Sequence, residues 1–503
     1  MSRLHDLPLA RIRARLSPPP AVDIAPLAAF RIAFGGLMAV EMGRFFQHGW
    51  VRGLFVDPVY HFTYPGLDWV RPWPGDGMLW HFGVLLAAAV LVAIGVYYRA
   101  AIVVFALGFT YVFVLDAAFY QNHFYLICLL AWLMALVPAD RAWSLDAALD
   151  PRRRSATAPG WTLWILRAQI AIVYTFAGLA KLNPDWLRGE PVRTFLAQAP
   201  EVAVLGPLLA HPAAPWVISY GGLVLDLAVI PLLAWPRTRL VALAAVLAFH
   251  LTNAALFPIG IFPWLMIAAL PLLLPPAWTR AAGEIALATF APRRGRRARD
   301  SVAAGPIEPD PPLAQLPHAV PNPVPAGPVP PAAPGPRPMP VLPATPAAPT
   351  SPGWPTGPLR AALAAYVAAQ IALPLRHLAY PGNPSWTGEG ERFAWRMMLD
   401  LKTGSTTFTA ADPATGARWE IDPATQLADW QARKLEIRPD LILQLAHHLR
   451  DGLSPDRPGI RIYTHAAMSL NGRPARPLVD PAVDLASEPR TFRPARWILP
   501  PDP

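Results

Sequence analysis

The sequence predicts a polytopic α-helical membrane bundle of about eight or nine spans, followed by a C-terminal extracytoplasmic α+β domain rich in strands. Three observations carry this. Apolar residues make up 54% of the 503 and charged residues only 15%, with a mean hydropathy of +0.31. A soluble chain carries about 25% charged residues, so the deficit marks lipid-facing surface. The apolar residues are gathered into runs long enough to cross a bilayer, and from about residue 386 these give way to short alternating runs separated by turn signals.

A spanning helix needs about 20 mainly apolar residues. Candidate spans are 24–46, 78–97, 100–117, 123–138, 162–181, 216–234, 239–256, 260–275 and 359–375. The run 260–275 is short and holds Pro263, so it reads either as a span or as a re-entrant segment. Nineteen tryptophans fit rings placed at both membrane–water interfaces.

Positive charge beside the spans sets orientation. Arg3, Arg11, Arg13 and Arg15 precede the first span and put the N-terminus in the cytoplasm. Alternation then makes 98–99, 139–161, 235–238 and 276–358 cytoplasmic. These segments hold Arg99, then Arg141, Arg152, Arg153 and Arg154, then Arg237, then Arg293, Arg294, Arg296, Arg297 and Arg299. Nine crossings leave the C-terminal domain outside the inner membrane, where an even number would leave it inside.

The resulting organisation is a cytoplasmic segment at 1–23, a bundle at 24–291, a linker at 292–358, a final span at 359–375 and the extracytoplasmic domain at 376–503. Residues 306–358 contain 21 of the 63 prolines, a composition that cannot build a core and predicts an extended, disordered linker. In the last domain, Ser405–Ala410, Arg418–Ile421 and Gly459–Met468 alternate as strands do. Pro413–Gly416 and Asn471–Gly472 read as turns, and an amphipathic helix falls near 439–450.

Several function classes drop out. The net charge of +10 permits nucleic acid or anionic lipid as partners, but the basic residues sit in short segments between spans, where they set topology. Membrane lipid is the expected partner, and nucleic acid is not. The single cysteine, Cys128, excludes a thiolate zinc knuckle, a CxxC redox pair and an internal disulfide, and its apolar surroundings predict an inert thiol. No secretory leader is expected, because the first apolar run contains Arg31 and Glu41 and no small-residue cleavage site follows it. No P-loop, GxSxG, HExxH or GxGxxG occurs. His447 and His448 are adjacent, lack metal-ligand spacing and read as surface residues.

Polar side chains within spans are costly and tend to be functional. Asn122 and His123 open the fourth span, Lys181 closes the fifth, Asp226 lies within the sixth, and His250 and Asn253 end the seventh. By the predicted topology, the Asn122–His123 pair, Lys181, and the His250–Asn253 pair share one depth near the extracytoplasmic ends. Of 43 Lys and Arg, only Lys181, Lys402 and Lys434 are lysine. Where charge alone was needed the chain uses arginine, whereas a desolvated lysine can lose its proton and act as a general base. Each group also has a plainer reading. Lys181 can snorkel to the interface, Asn122 and His123 can cap a helix, His250 can be a hydrogen-bonded core residue, and Asp226 can pair with an arginine such as Arg167.

FAGLAKLNPDWLRGEPV, with Lys181, is similar to the block around the catalytic lysine of vitamin K-dependent γ-glutamyl carboxylases. YQNHFYLICLLAWLMALVPADRAWSLDA resembles that family's Asn–His segment, here Asn122 and His123, and FHLTNAALFPIGIFPWLMIA resembles the block matching His250 and Asn253. RHLAYPGNPSWTGEGERFAWRMML looks like the start of the family's C-terminal domain. The broader group shares a horizontally transferred transmembrane (HTTM) domain.

The resemblance implies reduced vitamin K (a naphthoquinol or menaquinol) as cofactor, dioxygen and carbon dioxide as co-substrates, a glutamate-containing peptide or protein as partner, and no metal. It implies that Lys181 deprotonates the quinol, whose oxygenation to an epoxide yields the strong base that removes a glutamate γ-proton before carbon dioxide adds. Asn122 and His123 are then catalytic, and His250, Asn253, Trp395 and Arg396 are substrate-binding. The disulfide of the animal enzymes cannot form here, and the proline-rich segment is foreign to the family pattern. Quinol epoxidation without carboxylation would need only the membrane half. A binding or transport protein and a scaffold are the other classes, but a transporter would more often show broken helices in repeated halves, and no repeat is evident.

Overall fold

The computed structural model describes residues 21–198, 206–257, 259–290 and 354–501. The expected N-terminal cytoplasmic segment, up to residue 20, and the proline-rich linker, up to residue 353, lie outside the described residues. The chain divides into two units, residues 1–281 with 352–503 and residues 282–351. The first carries everything below. The second enters the described residues only with the last turns of one helix.

Ten principal helical elements follow in order among the described residues. α1 (Ala25–Gln47), α2 (Gly77–Ile94), α3 (Tyr98–Leu115) and a shorter α4 (Asn122–Leu136) come first, then α5 (Gly160–Ala180), α6 (Ala214–Ala234) and α7 (Arg239–Leu256). A broken pair, α8 (Phe262–Ala268) and α9 (Pro276–Phe290), precedes α10 (Gly357–Leu375), and all but α9 match an expected span. Among the described residues seven helices are long and apolar enough to cross a membrane, or eight if the broken pair is one span. This is a multi-pass membrane protein. At 15 residues α4 is about 22 Å long, short of the ~30 Å hydrocarbon core, and its Phe124, Leu126, Ile127 and Leu130 are buried inside the bundle.

The run 260–275 is not one straight span. Residues Phe262–Leu273 and Pro276–Ala286 meet at 111°. Leu274 is extended (φ −82°, ψ 163°) because it precedes Pro275, and a residue before proline is pushed out of the helical region.

Arg31, which the sequence shows as a charge within the first span, is fully buried and bolts three segments together. Its Nη1 donates to the carbonyls of Val92 (2.8 Å) and Ala93 (2.7 Å), its Nε to Ala139 (3.1 Å), and its Nη2 to Trp143. The carbonyls at the C-terminal end of α2 are the negative end of a helix dipole, so a guanidinium there meets both unsatisfied acceptors and favourable charge. One turn along α1, Gly35 lies so near α2 that a Cβ would sit 2.5 Å from the Ala93 nitrogen.

The C-terminal domain holds a four-stranded antiparallel sheet of order β4-β3-β5-β6, where β1 (Ala21–Asp23) and β2 (Thr157–Pro159) are a separate short pair at the base of α1 and α5. β3 (Lys402–Ala411), β4 (Arg418–Ile421) and β5 (Arg461–Leu470) match the three expected strands. β6 (Arg476–Pro477) and α11 (Asp429–Leu435) carry no strong sequence signal. α12 (Pro439–Leu453) is the expected amphipathic helix, and it buries Leu441, Leu445 and Leu449 with Phe408, Ile462 and Met468 of the sheet. His447 and His448 are half-buried rather than fully exposed. The first bonds the Glu488 carbonyl (2.7 Å) and the second packs on Tyr60 (4.3 Å).

This domain is docked on the bundle through satisfied polar contacts. Gln431 donates to the Tyr60 carbonyl and to Asp116, each at 2.8 Å, and the Thr63 amide donates to Gln444 at 2.9 Å. Asp185, just beyond α5, accepts from Asn471 (2.8 Å) and from both terminal nitrogens of Arg473. The Arg473 hydrogen bond outweighs burial and holds the Asp185 carboxyl at about 2, so this clamp stays charged wherever ordinary carboxylates are ionised.

Candidate active site

α5 ends at Lys181, and the residues after it fold back on it. Asn183 accepts hydrogen bonds from the amides of Asp185 (3.1 Å) and Trp186 (3.0 Å), capping the short helix Pro184–Leu187. That turn carries Trp186 under the lysine, whose Nζ lies 5.2 Å from the ring, while the indole nitrogen donates to the Ser219 carbonyl (2.7 Å). The segment LNPDW is therefore a local fold that seats Lys181.

Lys181 does not snorkel; it is 5% exposed. Its Nζ donates to Asp226 (2.6 Å) and to the Ala177 carbonyl (3.3 Å). The pairing of Asp226 with an arginine such as Arg167 is not what forms. Arg167 donates instead to the carbonyls of Leu272 and Leu274. The reason is the axial offset of the two helices. The first turns of α6 stand beside Trp186, past the end of α5, so Asp226 comes level with Gly178, where a Cβ would lie 3.2 Å from the Asp226 Cβ. Arg167 is 11 residues further down α5, about 16 Å away along the axis.

The pair borders a cavity of about 380 Å³ that also collects Asn122, His123, Tyr174, His250, Asn253, Arg396 and Lys434. Six of the seven expected site residues thus meet around one space. Trp395 does not. It is fully buried and stacks on Tyr125, ring centres 5.1 Å apart. The cavity walls are otherwise apolar and aromatic, including Trp186, Phe249, Phe257, Phe262, Met397 and Met398.

Neither Asn122 nor His123 caps α4; the N-cap is Gln121, with no side-chain cap bond. Asn122 accepts from the Tyr120 hydroxyl (2.9 Å) and donates to the Arg396 carbonyl (3.1 Å), tying the bundle to the 391–398 segment. The His123 ring lies by Gly260 (φ +59°), its Nε2 3.6 Å from where a Cβ there would sit, and its nitrogens make no hydrogen bond among the described residues. His250 Nε2 is 2.8 Å from the Tyr174 hydroxyl.

Phe393, Trp395 and Met398 all have positive φ (65°, 56° and 56°), at a cost of about 1–2 kcal/mol each. The Tyr120 and Asn122 contacts hold this strained segment so that Arg396, Met397 and Met398 face the cavity. Arg396 donates to Ser385 (2.9 Å), and its Nε has no hydrogen-bond partner among the described residues.

Lys434 is a cavity residue that motif reading missed. The one signal for it was the scarcity of lysine. Solvent reaches it, yet surrounding protein and then Arg438 and Arg433 push its pKa below that of an ordinary lysine. Lys402 stands apart from the cavity, its side chain 4% exposed, 3.5 Å from Glu391 and 3.4 Å from Asp400. Burial favours protonated Glu391, but Lys402, Arg438, Arg396 and Arg392 prevail and hold its carboxyl below the usual range.

The family model of the HTTM domain matches residues 20–278, and that of the vitamin K-dependent gamma-carboxylase lumenal domain matches residues 357–502. The chain belongs to the vitamin K-dependent γ-carboxylase family. No solved structure matches it. The two matches meet at the cavity, the first contributing Lys181, Asp226 and His250 and the second Arg396 and Lys434. The family implies vitamin K as cofactor, and the cavity suits that molecule's chemistry. Its size falls within the roughly 300–1,000 Å³ of small-molecule sites, aromatic walls offer faces to a flat fused ring, and a few polar groups converge on it.

Proposed function

We propose that this protein carboxylates glutamate in a peptide or protein, drawing on a reduced naphthoquinone, dioxygen and carbon dioxide, with Lys181 as the general base. When bound, the reduced naphthoquinone supplies, through its reaction with dioxygen, the strong base that the removal of a γ-proton requires. The observation that carries the reading is the single cavity bordered by the Lys181–Asp226 pair from the bundle and by Arg396 and Lys434 from the strand-rich domain.

In its uncharged form Lys181 takes a proton at Nζ from a hydroxyl in the cavity. Asp226 orients that nitrogen and balances the charge so created, as a buried ammonium requires. Arg396 and Lys434 hold the glutamate carboxylate by charge-assisted hydrogen bonds. His123, whose ring nitrogens make no hydrogen bond among the described residues, and Asn122 stabilise negative charge that develops nearby. The methionine and aromatic walls keep water from quenching a strong base.

The test uses purified protein with reduced menaquinone, oxygen, a glutamyl peptide and labelled bicarbonate. The expected result is epoxide together with label in the peptide. Epoxide without label would convert the reading to a quinol epoxidase, and no turnover of any naphthoquinol would overturn both. The side of the membrane is a further part of the proposal, supported by the arginines beside the spans: the N-terminus cytoplasmic, the cavity and the C-terminal domain outside the inner membrane. A periplasm-dependent reporter fused after Pro503 should be active; activity of a cytoplasm-dependent reporter there would reverse the assignment.

A further inference from the structure

Tyr174 precedes Lys181 by seven residues on α5, almost two full turns, so the two side chains share a face and border the same cavity. No role follows for it from the family blocks or from the ion pair. Its hydroxyl lies 2.8 Å from His250 Nε2, and both residues are buried.

The direction of that hydrogen bond can be deduced from the other side of the ring. His250 Nδ1 is buried and has no hydrogen-bond partner among the described residues. A doubly protonated ring would leave a buried cationic N–H without an acceptor, and the Nδ1–H tautomer would leave a neutral one. The Nε2–H tautomer leaves only a bare lone pair. Orphaned N–H groups are the rarer and costlier defect, so the Nε2–H form prevails and Nε2 donates to the tyrosine oxygen.

A phenol that accepts from histidine keeps its own hydrogen free. Among the described residues the Tyr174 hydroxyl has no second partner, and the nearby carboxylate of Asp226 is engaged by Lys181. The geometry points to Tyr174 as a pre-set hydrogen-bond donor to an oxygen of the naphthoquinone ring, with His250 as the residue that fixes its direction. This rests on the proposed function. A 1,4-naphthoquinol carries its two oxygens at opposite ends of one ring, so a site that deprotonates one gains from a fixed donor for the other. Tyr174 keeps its proton throughout; it holds the oxygen and stabilises charge on it.

The experiment separates binding from turnover. Oxidised 2-methyl-1,4-naphthoquinone with labelled carbonyl carbons is bound to the purified full chain, and the carbonyl stretch is followed by difference infrared spectroscopy. Wild type should show one carbonyl band lowered in frequency by a hydrogen bond. Tyr174→Phe should lose that band and weaken binding about twofold to tenfold, the ordinary worth of one hydrogen bond. It should also slow epoxide formation by roughly 10² to 10³, as loss of an oxyanion donor does. His250→Gln, whose amide can still donate to the tyrosine oxygen, should keep the band, and His250→Leu should broaden or lose it. Thermal midpoints of all variants establish that they fold. Wild type that binds the quinone but shows no lowered band, or a Tyr174→Phe variant that retains it, overturns this inference alone. Failure of wild type to bind any naphthoquinone overturns the proposed function with it.

Discussion

Replacing Lys181 with arginine is expected to slow quinol epoxidation by about 10² to 10⁴, the usual worth of a general base, in a protein that remains folded. Arginine keeps the positive charge, and at a bond of 2.6 Å to Asp226 it keeps the partner as well. It cannot surrender its proton, because guanidinium stays charged at any pH a protein survives. A charge-only role for position 181 therefore predicts an active Lys181→Arg, and a base predicts a dead one. Lys181→Ala is the weaker probe, because it also leaves Asp226 buried and unpaired, at a cost of about 3–5 kcal/mol. The double variant Lys181→Ala/Asp226→Leu removes both charges and should melt above Lys181→Ala while staying inactive. Epoxidation rates together with thermal midpoints give the answer. A Lys181→Arg enzyme within a few-fold of wild type would refute the assignment of the base.

The chemistry of the pair shows where sequence reasoning stops. Hydropathy located the spans well, and 239–256 is bounded as α7 is. Length and composition are local properties, which one stretch of chain reveals by itself. The relative heights of two helices are not local. Counted from the span ends, Asp226 and Arg167 lie at similar depth, so they look like partners. The 181–213 connection instead lets α6 start beyond the end of α5, and Asp226 rises to the level of Lys181. The same limit hid the Arg31 bolt, whose four acceptors are backbone carbonyls that leave no trace in residue identity. It also hid Tyr174, whose sequence position says nothing of the His250 ring that stands against it.

Breaks in the backbone were legible to a different degree. The prolines of 260–275 announced trouble with a straight span, and the structure gives it a bend at Leu274–Pro275. In the C-terminal domain the alternation of β3, β4 and β5 was plain, and alternate residues of β3 and β5 are buried in the core that α12 shares. β6 has two residues and α11 seven, too few for any period to register. Trp395 was drawn into the expected site by its neighbours in the 376–399 block. It serves as the buried anchor that lets Arg396 reach the cavity.

Lys434→Gln is expected to separate the two half-reactions. If Lys434 holds the glutamate carboxylate, its loss should raise KM for a glutamyl peptide about tenfold to a hundredfold, the worth of a hydrogen bond to a charged group. Peptide-independent epoxidation should change far less, because that step needs the bundle side of the cavity. The pH dependence gives a second reading of the same residue. The surrounding protein, Arg438 and Arg433 lower the Lys434 pKa, so its cation is present at low pH and is lost, as pH rises, sooner than an ordinary lysine at 10.5 would lose it. Peptide KM should therefore climb on the alkaline side before epoxidation without peptide declines, and Lys434→Arg should carry the low-KM plateau to higher pH. A peptide KM that is indifferent to both variants would remove Lys434 from substrate recognition and leave Arg396, with its unpartnered Nε, as the carboxylate's anchor from this domain.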